Sequence, residues 1–254
     1  MARDRGDRRV TPIATIGLVL AVLAAVAGAA AGLGYRFGLW SLGTGFGMLR
    51  YTVYGAIAAV IVSALGAALA RPGGGRRGLY RAIVGLAIGA VVLGVPLSYL
   101  RAARQVPPIH DITTDTAYPP QFVAILPLRA GAPNPPAYGG EAIAAQQQAA
   151  YPAIQPAHSS LPPDRTFDLA LATAEDQGWE IVAAIPSEGR IEATDTTGWW
   201  GFKDDIVIRI RPEGSGSRLD IRSESRVGVS DLGTNAARIE AFLEDFEPRL
   251  AGSE

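Results

Sequence analysis

Three stretches within the first hundred residues carry no charge, and that property limits what this chain can fold into. From Pro12 to Gly34 every residue is apolar or small except Thr15. From Tyr51 to Ala70 the polar members are Tyr51, Thr52, Tyr54 and Ser63, and a third run extends from Ala82 to Leu100. Each run is close to the ~20 residues a helix needs to cross a hydrocarbon core. Three such stretches in succession rarely belong to one soluble domain. The reading is a membrane domain over residues 1–104 with three transmembrane helices, at about 12–34, 51–70 and 82–100.

Charge divides the chain at the same place. Up to Arg104 there are twelve Arg and two Asp, a net of +10, while the remainder carries −11, within a total of 23 Lys+Arg and 24 Asp+Glu. An acidic second half excludes a nucleic-acid partner, since phosphate neutralisation by basic residues supplies most of that affinity. Cys is absent, which removes disulfides, thiolate nucleophiles and Cys-ligated metals. Arg asymmetry then orients the spans. Arg3, Arg5, Arg8 and Arg9 precede the first run and Arg71, Arg76, Arg77 and Arg81 lie between the second and third, whereas Arg36 with Arg50, and Arg101 with Arg104, form weaker clusters. By the positive-inside rule the amino terminus faces the cytoplasm and the carboxy-terminal domain is extracytoplasmic, in a protein of the cytoplasmic (inner) membrane. A cleaved signal peptide is the alternative reading of the first run, with small residues at Ala27 and Ala29; the run is long for that role, and cleavage leaves the domain on the same side.

Within the runs Gly28 and Gly32, and again Gly85 and Gly89, stand four apart, a spacing that lets helices approach closely, and the two pairs are expected to pack on each other. No carboxylate, Lys or His interrupts a run, which argues against a transport pathway.

Between Gln105 and Pro163 lie twelve of the eighteen Pro. That density prevents a long helix and keeps strands short. The segment 105–163 is read as a connector lying against the soluble domain, with a short strand at Phe122 to Leu126 and a short helix from Glu141 to Ala150. The soluble domain, 164–254, opens with a helix from Arg165 to Asp176, in which Phe167, Ala170, Leu171 and Ala174 recur at helical spacing before Gly178. Strands at Trp179 to Ile185 and Arg190 to Thr194 form one hairpin. Alternation of Ile206, Ile208 and Ile210, and of Leu219 and Ile221 after the turn at Glu213 to Ser217, forms a second. Ile239, Phe242, Leu243 and Phe246 define a last helix, opened by Asp231 or Thr234 and ended by Pro248. The fold class is therefore three membrane helices plus an α+β domain, with an antiparallel sheet of four or five strands and two helices on one face. The opposite face, with Asp205, Arg209, Arg211, Arg218, Asp220, Arg222 and Glu224, is expected to be a solvated surface of interleaved charges.

The string Gly198-Trp199-Trp200-Gly201-Phe202-Lys203-Asp204-Asp205-Ile206-Val207-Ile208-Arg209, then Asp220-Ile221-Arg222-Ser223-Glu224-Ser225-Arg226-Val227-Gly228, resembles the domain of unknown function 1499 family. Ser230 to Asn235 with Arg238-Ile239, and upstream His110 to Asp115, Pro119 to Phe122 and Ala150 to Pro152, are similar to it as well. The resemblance covers roughly the carboxy-terminal half and agrees with membrane-anchored members. It implies no assigned activity.

The strongest polar constellation is Lys203, Asp204, Asp205, Arg209, Arg222, Arg226, Asp231, Asn235 and Arg238. Guanidinium forks suit carboxylate and phosphate, so Arg not neutralised by Asp would take an anionic ligand; internal pairing that locks the sheet to the last helix is the competing reading. Trp199 and Trp200 beside Gly201 would supply apolar contact, at a ligand pocket or a membrane interface, with core packing as the plainer alternative. The candidate ligand-binding set is thus Lys203, Asp205, Arg209, Arg222, Arg226, Asp231, Asn235, Trp199 and Trp200. His110, Asp111 and Asp115 are metal ligands by type, but no His-x3-His or Glu-x2-His spacing accompanies them, and no metal or other cofactor is expected. Ser223, Ser225 and Ser230 lie in no nucleophile elbow, and no phosphate-binding or dinucleotide loop is present. Asp204 and Asp205 are adjacent, so a strand sends them to opposite faces and denies them a paired acid–base role. The function expected is a binding module for an anionic envelope ligand, a lipid headgroup or a membrane-protein partner. A hydrolase of an envelope ester or phosphoester and a non-catalytic membrane scaffold are the alternatives.

Overall fold

The computed structural model describes residues 10–72 and 77–253, and its contacts divide the chain into two units. One comprises the helices up to Arg101 together with Gly198–Gly201; the other comprises Ala102–Thr197 with Phe202 onward.

In the first unit, α1 (Pro12–Arg36), α2 (Leu42–Leu69) and α3 (Leu79–Ala103) are each long and apolar enough to cross a membrane. Helix α2 starts well before Tyr51: Ser41 accepts a hydrogen bond from the Thr44 backbone N–H, and Arg50 interrupts the apolar run without interrupting the helix. Small residues set the packing, but the glycine pairs do not meet as expected. A Cβ at Gly28 would stand 3.1 Å from Thr52, one at Gly85 would collide with Ser63, and one at Gly89 would stand 2.8 Å from Val60. Each glycine therefore admits a neighbouring helix's larger side chain or backbone. Val10 bridges Arg77, with the Thr11 N–H donating to the Arg77 carbonyl at 2.9 Å, and Arg81 donates to Thr15 at 2.9 Å. The starts of α1 and α3 therefore lie at one end of this unit. Arg3, Arg5, Arg8, Arg9 and Arg76 lie outside the described residues.

The second unit is an antiparallel sheet with helices. In chain order it contains β1 (Asp111–Thr113), a 3-10 turn (Leu126–Arg129), α4 (Glu141–Ala150), β2 (Ala157–Ser159), α5 (Pro163–Asp176), β3 (Glu180–Ile185), β4 (Arg190–Thr196), β5 (Lys203–Glu213), β6 (Gly216–Ser225) and α6 (Thr234–Ala251). The sheet has six strands, not four or five, in the order β1-β6-β5-β4-β3, with β2 pairing β6 as well. Both added strands come from the Pro-rich segment, are three residues long and share one edge of β6: β1 opposite Arg222–Glu224, β2 opposite Ser217–Leu219. The strand expected at Phe122–Leu126 does not form. Backbone N–H groups there turn inward, and the chain closes into the 3-10 turn. Pro248 does not end α6 either. It lies in the last turn, where only one helical N–H is forfeited, and the helix runs on to Ala251.

One sheet face is apolar. Ile191, Ala193, Ile206, Ile208, Ile210, Leu219 and Ile221 bury against Phe167, Ala170 and Ala174 of α5 and Ile239, Phe242 and Phe246 of α6. Trp179 stacks on Phe242 at 5.4 Å between ring centres. Each such large side chain contributes about 1.5–3 kcal/mol when fully buried. The other face is not solvated as expected. Asp205, Asp220, Arg222, Glu224 and Glu192 are all buried on it; groups of the segment 111–136 partner all but Asp220, which is held by Arg209, Arg211 and Arg218 of the sheet itself. At the β1 edge the Gln147 side chain donates to the Thr113 carbonyl at 2.6 Å and accepts from its N–H at 3.0 Å.

Candidate functional site

Strand alternation places Asp205, Val207, Arg209 and Arg211 of β5 and Arg218, Asp220, Arg222 and Glu224 of β6 on one face. Two ionic groups result, and they differ in charge balance and access.

The inner group is closed. Arg222 grips Asp111 with Nε and Nη2, both at 2.9 Å, reaches Glu224 at 3.2 Å, and donates to the carbonyls of Pro120 and Pro136. Arg129, from the 3-10 turn, spans Asp205 and Glu224 at 2.9 Å each. Arg226 binds Asp205 in a two-pronged pair at 2.8 Å and donates to the Leu128 carbonyl. Three guanidiniums thus meet three carboxylates. Phe122 lies beneath two of them, its ring centre 4.8 Å from the Arg222 guanidinium carbon and 5.3 Å from that of Arg129. Burial pushes the Glu224 carboxyl up to about 8, with the Asp111 charge adding to the rise and Arg129 and Arg222 opposing it. Burial and the same Asp111 charge push the Tyr138 hydroxyl up to about 12. Beside this group the Glu192 carboxylate accepts the backbone N–H groups of Val123, Ala124 and Ile125 at 2.9–3.0 Å and pairs with Arg190.

The outer group is open. Arg209, Arg211 and Arg218 share Asp220, and Arg209 and Arg218 also reach Asp115. Their side chains are 22%, 43% and 25% exposed. Arg209 Nε is buried without a hydrogen-bond partner. The next carboxylate, Glu213, binds His158 at 2.5 Å.

A third polar cluster lies on the helix-covered face. Arg238 joins Asp195 and Asp204 at 2.8 and 2.7 Å and donates to Ser223 and Asn235. Buried Asn235 in turn donates to the His110 carbonyl and to Ser225, while Asp231 accepts the backbone N–H groups of Gly233 and Asn235 at the start of α6. Burial raises the Asp231 carboxyl against those two hydrogen bonds. Asp204 and Asp205 do lie on opposite faces.

The sequence-predicted residues are therefore divided. Asp205, Arg222 and Arg226 belong to the inner group, Arg209 to the outer one, and Asp231 and Asn235 to the cluster at α6. Lys203 is exposed at the start of β5. Trp199 and Trp200 lie with the apolar helices: the Trp199 indole donates to the Ala29 carbonyl at 3.2 Å, and Trp200 sits 5.0 Å from the Phe46 ring. Sequence reasoning did not single out Arg129 or Glu192, and weighed Asp111 only as a metal ligand. Arg129 had one signal, as the charge that closes thirteen uncharged residues, Thr116 to Leu128. A cleft of about 170 Å³ is lined by Thr114, Thr116, Gln147, Gln148, Tyr151, Pro152, Ile154 and Gln155, without an ionisable acid or a guanidinium. Among the described residues no three His, Asp or Glu stand as a set that could hold a metal ion. No curated protein matches the chain. A family model described as Protein of unknown function (DUF1499) matches residues 111–246.

Proposed function

The chain belongs to the DUF1499 family, and from that premise we propose that it is a membrane-anchored binding module whose outer arginine group takes an anionic ligand. One observation carries the reading: Arg209, Arg211 and Arg218 share two carboxylates, Asp115 and Asp220, and remain partly accessible. Guanidinium donors left over by that pairing suit a phosphate or carboxylate. Arg222 and Arg226 serve instead to hold the covering segment, since their donors are taken by Asp111, Asp205 and backbone carbonyls. Three helices anchor the module in the cytoplasmic membrane. Arg71, Arg77 and Arg81, between α2 and the first turns of α3, support the orientation. The folded module is then extracytoplasmic.

The test is a titration of inorganic phosphate and glycerol phosphate against the full chain in detergent, read by melting temperature. A ligand present at 100 times its Kd adds about 2.7 kcal/mol, so the wild type should melt later with either probe. Arg211→Gln with Arg218→Gln should erase that shift, read against the variant's own probe-free melting temperature, which falls because buried Asp220 keeps only Arg209. A wild type indifferent to both probes, or a double variant that still responds, rejects the reading.

A further inference from the structure

The turn that closes over the inner group presents a surface that the ligand reading does not use. Thr116 to Leu128 contains no charged residue. Its inward side chains, Phe122 and Ile125, are buried with Val207, whereas Tyr118 is 75% exposed, Leu128 is 56% exposed, and Val123 and Leu126 are exposed as well. Four large exposed apolar side chains within one uncharged segment mark an interaction surface.

We propose that this turn dips into the headgroup boundary of the bilayer that the chain's own helices cross. Two observations select a lipid surface. First, five backbone N–H groups of the turn are already satisfied, as a medium poor in water requires: Glu192 accepts those of Val123, Ala124 and Ile125, and Leu126 and Leu128 donate to the carbonyls of Val123 and Ile125. A non-helical segment enters such a medium only with its backbone groups satisfied. Second, the residue types and charges are arranged as at a membrane interface. Tyr118 supplies an amphipathic ring. Arg226 ties the turn to the start of β5, donating its side chain to the Leu128 carbonyl and its backbone N–H to the carbonyl of exposed Lys203, a cation suited to phosphate headgroups. The inference rests on the helices being membrane spans.

The absence of Cys makes the test direct. Val123→Cys, Leu126→Cys and Leu128→Cys, each carrying a nitroxide in the full chain, are placed in nanodiscs of phosphatidylethanolamine and phosphatidylglycerol. Controls are Ser215→Cys at the β5–β6 turn and Leu23→Cys in α1. The three turn labels should collide with oxygen several-fold more than with an aqueous nickel chelate, as Leu23 does, while Ser215 shows the reverse. Turn labels as open to nickel as Ser215 overturn the proposal, and labels shielded from both reagents overturn it in favour of a protein partner. A nickel-accessible Leu23 label fails the spans themselves, a result distinguishable from failure of the turn. Circular dichroism on the same samples verifies the fold of each variant.

Discussion

The two faces of the soluble unit's sheet are covered by different means. Helices α5 and α6 cover one with Phe167, Phe242 and Phe246 against Ile and Leu side chains. A Pro-rich segment without a long element covers the other, and charge takes the place of apolar interdigitation. Physical chemistry connects the two facts. A helix presents a stripe of side chains and keeps its own backbone groups occupied, whereas an irregular segment leaves carbonyls and N–H groups that need partners if buried. Arg222 and Arg226 supply donors to the carbonyls of Pro120, Pro136 and Leu128, and Glu192 supplies the acceptor for three N–H groups. Burial of charge on this face is thus the counterpart of a covering layer that has no regular hydrogen bonding.

That comparison breaks first at Arg222. Arg222→Met leaves Asp111 buried without its guanidinium and Glu224 with Arg129 alone, and should cost about 3–5 kcal/mol, as much as Phe242→Ala on the apolar face; denaturant unfolding of the full chain in detergent measures both. If the Arg222 variant loses less than Arg211→Gln, the inner group is not what holds the covering segment. Glu192→Gln is smaller, on the order of 1–3 kcal/mol, because one charged acceptor of three N–H groups becomes a neutral one. Hydrogen exchange should accelerate at Val123, Ala124 and Ile125 and remain unchanged in α6.

The third test is pH. Glu224 has a folded pKa of about 8 against 4.5 in the unfolded chain. The folded state therefore binds more protons between those values, and stability is greatest at the acid end and declines as pH rises toward 8. The slope should be on the order of 1 kcal/mol per pH unit. Glu224→Gln, neutral throughout, should flatten it. Asp231, raised in the same direction, keeps its share in both proteins, so the difference between them isolates Glu224.

How much of this was legible depended on period and distance. The helix at Glu141–Ala150, the helix before Gly178 and the two hairpins follow from local spacing, and the opposed directions of Asp204 and Asp205 follow from strand geometry. The three apolar helices were visible as charge-free runs. The covering of the charged face was not, because 115–136 has no period and the partners are remote in sequence. Arg129 is 76 positions from Asp205, and Arg222 is 111 from Asp111. Strands of three residues, such as β1 and β2, are too short for alternation to register. The run from Arg222 to Arg226 announced guanidiniums. Which of them would be fully neutralised depended on carboxylates elsewhere in the chain.

Gln147 has a consequence beyond its two hydrogen bonds. A strand at a sheet margin offers a template to any passing extended chain, and such margins seed aggregation unless they are blocked. By occupying both the N–H and the carbonyl of Thr113, one side-chain amide stands where a foreign backbone would dock. This three-residue strand is in this way sealed against polymerisation without another strand.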